Sequence, residues 1–155
     1  MKVLFVCSSN VCRSPYCEFR FKRILSQNER LNSIITEVNS GAVFNISFKL
    51  HKKAYDCMVA EGYDPEMLKA HRAKYIWFNL RLFKESDVII GMTRWHKWCL
   101  PFGLRKKYVN LSEVAGDKYK AIPDPFLAKS QDEYNKCMAI VGDYVDRYAN
   151  RLMEE

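Results

Sequence analysis

Hydrophobic positions along the chain fall into short continuous runs separated by stretches of helical spacing. Val3-Leu4-Phe5-Val6 is apolar at every position and predicts a strand buried on both faces. Val88-Ile89-Ile90, preceded by Asp87 and closed by Gly91-Met92, has the same character. The β-branched stretch Ile34 to Val38 and the segment Lys107 to Leu111 predict two more strands. Between these runs the period changes. Cys17, Phe21, Ile24 and Leu25 recur at i, i+4, i+7 and i+8 and mark the core face of a helix from Pro15 to about Gln27. Leu50, Ala54, Cys57 and Met58 do the same for a helix over Leu50–Glu61, with Gly62 as its stop. Asp64-Pro65 starts a short helical piece, and Arg94 opens another that Pro101 and Gly103 close. Glu113 to Ala121 is polar and reads as a loop. Ser130 and Glu133 form a capping box ahead of a long helix with apolar residues at Tyr134, Cys137, Met138, Val141, Val145, Tyr148 and Leu152. Gly142 interrupts that helix without a reason visible in the pattern.

Four predicted strands alternating with helices imply a doubly wound α/β fold, with a four-stranded parallel sheet and helices on both faces. A chain of 155 residues is expected to form one domain, residues 1–155, with a core of its own.

Composition narrows the function classes. Apolar residues make up 48% and charged residues 28%, as in an ordinary globular protein. Met1-Lys2 leads straight into Val3–Val6, a run too short for a signal peptide, and no stretch approaches a membrane span, so a cytoplasmic protein without a membrane partner is expected. The six cysteines, at 7, 12, 17, 57, 99 and 137, include no Cys-x2-Cys pair and no Cys/His cluster of zinc spacing. Neither a metal nor a disulfide scaffold is therefore expected. A net charge of +7 raises nucleic acid as a partner, but the basic residues are scattered among acidic ones, which disfavours it. Such a field also draws in acidic, phosphorylated substrates. The aromatic-basic run Arg94-Trp95-His96-Lys97-Trp98 is too short to carry a base-stacking claim.

The chemistry-bearing stretch is Cys7-Ser8-Ser9-Asn10-Val11-Cys12-Arg13-Ser14-Pro15, directly after the first strand. Ser14 as N-cap and Pro15 at N1 read as a helix start. A strand–loop–helix unit aims its backbone N–H groups into a concavity that holds an oxyanion. Arg13 and the helix N-terminus should lower the Cys7 pKa below the free value of about 8.5, favouring a nucleophilic thiolate. The planar fork of Arg13 can grip two phosphoryl oxygens. A bare Cys-x5-Arg spacing is common, and the strand before it and helix start after it are what give it weight.

This motif, together with Asp124-Pro125-Phe126 far downstream, resembles the low-molecular-weight protein tyrosine phosphatases over nearly the whole chain. The resemblance implies hydrolysis of phosphotyrosine in a protein or peptide, with no metal and no cofactor. It casts Cys7 as nucleophile, Arg13 as phosphoryl clamp and Asp124 as general acid. Ser8, Ser9, Asn10, Val11, Cys12, Arg13 and Ser14 would bind phosphate. Asn10, Ser14, Ser40 and His71 match a hydrogen-bond network that buttresses the loop. Phe44, Ile46 and Phe48 would wall the substrate slot, and Phe126, where the family often has tyrosine, would stack on the substrate ring. The chain departs from the family at Ser40-Gly41-Ala42, where Ser-Ala-Gly is usual, and in lacking the glycine and proline that often follow.

Cys7 and Cys12 bracket one tight loop, so Cys12 is either a redox partner that traps oxidised Cys7 or a small residue packed beneath the loop. Three alternatives belong beside the main reading. A protein arginine phosphatase of the same fold would tend to carry threonine where this chain has Val11. An arsenate reductase would need two further cysteines after the third strand, where only Cys99 stands. The non-enzyme alternative is an anion- or nucleic-acid-binding module.

Overall fold

A computed structural model describes residues 1–155. The chain runs β1 (Lys2–Cys7), α1 (Arg13–Ser26), α2 (Glu29–Ile34), β2 (Glu37–Ala42), α3 (Lys52–Ala60) and α4 (Pro65–Ala70) in its first half. The second half adds α5 (Leu80–Glu85), β3 (Val88–Gly91), α6 (Arg94–Trp98), β4 (Tyr108–Asn110), α7 (Leu111–Val114) and α8 (Gln131–Glu154). The four strands form one sheet in the order β2-β1-β3-β4, every pairing parallel. β1 is central: the chain leaves it to one side for β2 and later returns to the other side for β3. That reversal opens a crevice at the carboxyl ends of β1 and β3, where α/β folds bind ligands.

Successive side chains of a strand point to opposite faces. In β1, Val3, Phe5 and Cys7 enter the larger core with α1 and α8, while Leu4 and Val6 enter the smaller one with Phe83, Leu100 and Leu104. β3 divides the same way, Ile90 to one side and Ile89 to the other. Helices therefore cover both faces, as the continuous apolar runs imply. Leu4, Phe5 and Val6 are fully buried, each contributing on the order of 1.5–3 kcal/mol relative to exposure.

Several boundaries differ from the sequence reading. Ser14 is not the N-cap of α1. Helix α1 begins at Arg13 with Cys12 in the N-cap position and no side-chain cap, because Ser14 and Arg13 are turned into the site instead. The strand expected over Ile34–Val38 is Glu37–Ala42, and Ile34 ends the unexpected helix α2, which Asn28 caps by accepting from Leu31 N–H. Ser40-Gly41-Ala42 lies within this strand, paired with Phe5, Val6 and Cys7. Helix α5 was not legible, and α6 stops at Trp98, ahead of Pro101. The polar segment after β4 opens with α7. At α8, Ser130 Oγ accepts from Glu133 N–H, but Glu133 accepts from Lys129 N–H rather than from Ser130.

Gly142 acquires its reason in the packing of α1 against α8. A Cβ there would lie 2.9 Å from the Tyr16 hydroxyl and 3.0 Å from the Arg20 guanidinium carbon. Tyr16 is buried and bonds Glu61, and Arg20 is clamped to Asp146 through two hydrogen bonds of 2.8 and 2.7 Å. Helix propensity alone would make Gly142→Ala stabilising by about 1 kcal/mol. Overpacking costs about 1–3 kcal/mol, so we expect a net loss and a melting temperature lower by a few degrees. A rise in melting temperature would contradict this contact.

Candidate functional site

Strand β1 delivers Cys7 to the crevice, and residues 8–12 curl back to the start of α1. The carbonyls of this loop face outward onto the next segment. Val43 N–H donates to Cys7 O at 3.1 Å, Phe44 and Asn45 N–H to Ser8 O at 3.1 and 2.9 Å, and His51 N–H to Val11 O at 3.1 Å. The N–H groups of residues 8–12 find no backbone acceptor within the chain and form the opposite edge of the loop. Closing so tight a loop takes a left-handed residue, and Asn10, at φ 58°, is the only non-glycine residue with positive φ. Asparagine tolerates that region better than most side chains.

Asn10 is completely buried and bonded on every side. Its Oδ1 accepts from Lys74 N–H at 3.0 Å, which fixes the amide so that Nδ2 donates to Ser14 Oγ and Ser40 Oγ, both at 2.8 Å. Its carbonyl accepts from His71 Nε2 at 2.9 Å. Ser40, having accepted from Asn10, donates to the buried Glu18 carboxylate at 2.7 Å, whose other oxygen accepts from Lys22 at 2.7 Å. Ser14 Oγ, which accepts from Asn10, lies 3.0 Å from the Cys7 sulfur and 3.4 Å from the Gly41 carbonyl, so its hydrogen can be given to either. An anionic sulfur gains most from such a donor.

A third histidine holds the other end of the loop. His96 is buried, its Nδ1 accepts from Met92 N–H at 3.3 Å, and the proton on Nε2 is donated to Ser8 Oγ at 3.0 Å. Burial first, and the Arg13 charge second, push the His96 pKa down to about 3, so the ring is neutral at neutral pH. Burial likewise lowers the His71 pKa, opposed by its bond to the Asn10 carbonyl. Burial raises the Cys12 thiol to about 12, which keeps it protonated, and all six cysteines are free thiols.

Arg13 is only 4% exposed and donates from Nη1 to Ile122 O at 2.9 Å. Through that bond the first loop and the Asp124 loop are tied together. Nη2 lies 3.9 Å from Asp124 Oδ2, while Asp124 Oδ1 accepts from Phe126 N–H at 3.0 Å. A cavity of about 370 Å³ opens over the loop. Cys7, Arg13 and Asp124 line it together with Ser8, Ser9, Val11 and Cys12, and Ile46 and Phe126 form its walls. Phe126 rests edge-on against His51, with ring centroids 5.2 Å apart.

Phe44 does not line this cavity. It is exposed and packs edge-on against Trp95 at 4.8 Å, and Phe48 lies beneath Arg72 at 4.6 Å. Asn10, Ser14, Ser40 and His71 form a single network, and Glu18, which the sequence reading did not include, stands at its end. Also missed were Asn45, which donates to Ser9 Oγ at 3.0 Å, and Ser47, another wall residue. His51 and His96 were missed as well. The chain has three histidines, and all three touch the loop.

Comparison with known proteins adds the identity of this arrangement. The family model described as low molecular weight phosphotyrosine protein phosphatase matches residues 2–155. The low molecular weight protein-tyrosine-phosphatase PtpB of Staphylococcus epidermidis is 30% identical over 149 residues, covering 95% of this chain and 96% of the relative. The protein-arginine-phosphatase of Bacillus subtilis is 28% identical over 158 residues, covering 100% and 99%. Among solved structures, a cysteine-to-serine mutant of YwlE arginine phosphatase with a phosphorylated active-site serine superposes with a TM-score of 0.84 at 26% identity, covering 100% of this chain and 97% of that one. On a family match spanning all but the first residue, the protein belongs to the low molecular weight phosphotyrosine protein phosphatase family, which are cysteine-dependent hydrolases.

Proposed function

We propose that this phosphatase hydrolyses phosphotyrosine in proteins or peptides through a phosphocysteine at Cys7. The observation that carries the reading is the convergence of Cys7, Arg13 and Asp124 on one cavity over a loop of unpaired amides. In the first step the Cys7 thiolate attacks phosphorus in line. The S–P bond forms as the P–O bond to the aryl group breaks, and Asp124 gives its proton to the departing phenolate oxygen. Arg13 and the amides of residues 8–13 hold the three equatorial oxygens as charge shifts across them. In the second step the Asp124 carboxylate takes a proton from water, whose oxygen bonds to phosphorus as the P–S bond breaks. Ser14 donates to the sulfur as it leaves. The products are the free phenol and inorganic phosphate. The positive field comes from Arg13 and the loop, so no step calls on a metal. The phosphorylated side chain in the YwlE mutant supports a covalent step in a relative with the same fold.

Asp124→Ala should lower kcat/KM, which reports the phosphorylation of Cys7, by about 10²–10⁴ on phosphotyrosine. The loss should be far smaller on an activated aryl phosphate, whose phenol leaves without a proton. Steady-state kinetics on both substrates decides it, and equal losses would remove Asp124 from the acid role.

A second reading, phosphoarginine hydrolysis, is carried by the 28% identical arginine phosphatase. The distinguishing residue is Val11, which lines the cavity and offers no hydroxyl to a guanidinium leaving group. Val11→Thr should raise the phosphoarginine-to-phosphotyrosine ratio of kcat/KM about tenfold, the value of one hydrogen bond in a closed site. A preference for phosphoarginine in the parent protein would overturn the tyrosine assignment.

A further inference from the structure

Beside the phosphate cavity lies a second cleft, of about 520 Å³, that the mechanism does not use. Its charged lining is Lys49, Lys52, Lys69 and Arg72, its apolar floor is Leu50, Tyr55 and Leu68, and no carboxylate lines it. The charges are largely uncommitted. Lys49 and Lys52 form no ion pair, and Lys69 has only an exposed contact of 3.4 Å with Glu66. Arg72 is oriented by its setting: its guanidinium lies over the Phe48 ring at 4.6 Å, and Nη1 donates to the carbonyls of Lys69 and His71 at 2.8 and 2.7 Å. Its Nε and Nη2 remain as donors, the pair of a planar fork that suits a carboxylate.

The two depressions draw on neighbouring residues of one stretch of chain. Asn45, Ile46 and Ser47 face the phosphate cavity, and Lys49, Leu50 and Lys52 face the cleft. Two residues of chain span at most about 7 Å, so Lys49 begins the cleft only a short step from the wall residue Ser47. An extended peptide advances about 3.3 Å per residue, which brings side chains a few positions from a bound phosphotyrosine over the cleft.

We infer that this cleft is a docking site for acidic residues flanking the phosphotyrosine, so that the preferred substrates are acidic peptides. The inference rests on the phosphatase reading and extends it to the substrate's sequence. Lys49, Lys52 and Lys69 supply the field, Arg72 the oriented fork, and Leu50, Tyr55 and Leu68 a floor for the aliphatic stems of glutamate side chains.

The test compares two phosphotyrosine peptides of equal length, one with glutamates on both flanks and one with glutamines, on the parent and on Lys49→Gln/Lys52→Gln/Lys69→Gln. The parent should favour the acidic peptide by about tenfold in kcat/KM, the preference residing in KM and vanishing at high salt. The triple variant should lose the preference yet turn over a small aryl phosphate, which has no flanks, at the parental rate. Equal kcat/KM for the two peptides in the parent overturns the inference, as does a preference that survives in the variant. Fluorescence anisotropy of a labelled, unphosphorylated glutamate peptide reads the cleft independently of catalysis. Binding lost in the variant supports the site even if the aryl phosphate is not hydrolysed, an outcome that would sink only the phosphatase reading. Binding unchanged in the variant, or capture of a labelled oligonucleotide in preference to the peptide, overturns the site.

Discussion

The buried, left-handed Asn10 is the constraint on which the site depends. A left-handed residue lets the loop double back within five residues, so that its amides face one point while its carbonyls bond outward. The conformation costs on the order of 1–3 kcal/mol for a residue with a Cβ, and four hydrogen bonds to that one residue hold it. They come from α1, β2, His71 just after α4, and the segment at Lys74, so the loop is shaped by the surrounding fold before any ligand arrives. Preorganisation of this kind is what allows fixed dipoles to stabilise a developing charge without reorganising during the reaction.

Two further couplings extend from that centre. The bond from Arg13 to Ile122 O joins the Cys7–Arg13 loop to the loop bearing Asp124, so the guanidinium and the carboxylate are held as neighbours. At the other end, His96 ties the start of the loop to the segment after β3 through Ser8. Strands β1 and β3 are adjacent and parallel, and their carboxyl ends therefore bring these two segments together across the topological switch.

Fold and chemistry were legible in the sequence to different depths. The strands β1 and β3 are short apolar runs, and burial on both faces leaves that mark wherever it occurs. Strand β2 leaves almost none: Glu37–Ala42 is polar and small because Ser40 bonds into the network and Gly41 sits under Phe83, whose ring would lie 2.7 Å from a Cβ there. Its register comes from pairing with β1, a nonlocal fact, so the β-branched residues just before it read as the strand instead. Helix α2 buries only Leu31 and carries too few apolar positions to show a period. Cys7, Arg13 and Asp124 were legible through motif and order. Glu18, Asn45 and His96 were not, since each acts on the loop from a separate element and no local spacing connects them. Ser14 was misread as a cap because the same residue type serves both a helix start and a hydrogen bond to sulfur.

The covalent step at Cys7 is the centre of this account. Its most direct test is rapid chemical quenching of Asp124→Ala during turnover of an activated aryl phosphate, followed by peptide mass spectrometry. That substrate's phenol leaves unaided, while the missing carboxylate slows attack by water, so the intermediate should accumulate. The account predicts phosphate on the peptide containing Cys7, bound through sulfur, and none on it when Cys7 is replaced by alanine. Phosphate on another residue, or turnover with no phosphorylated peptide at any quench time, would contradict it.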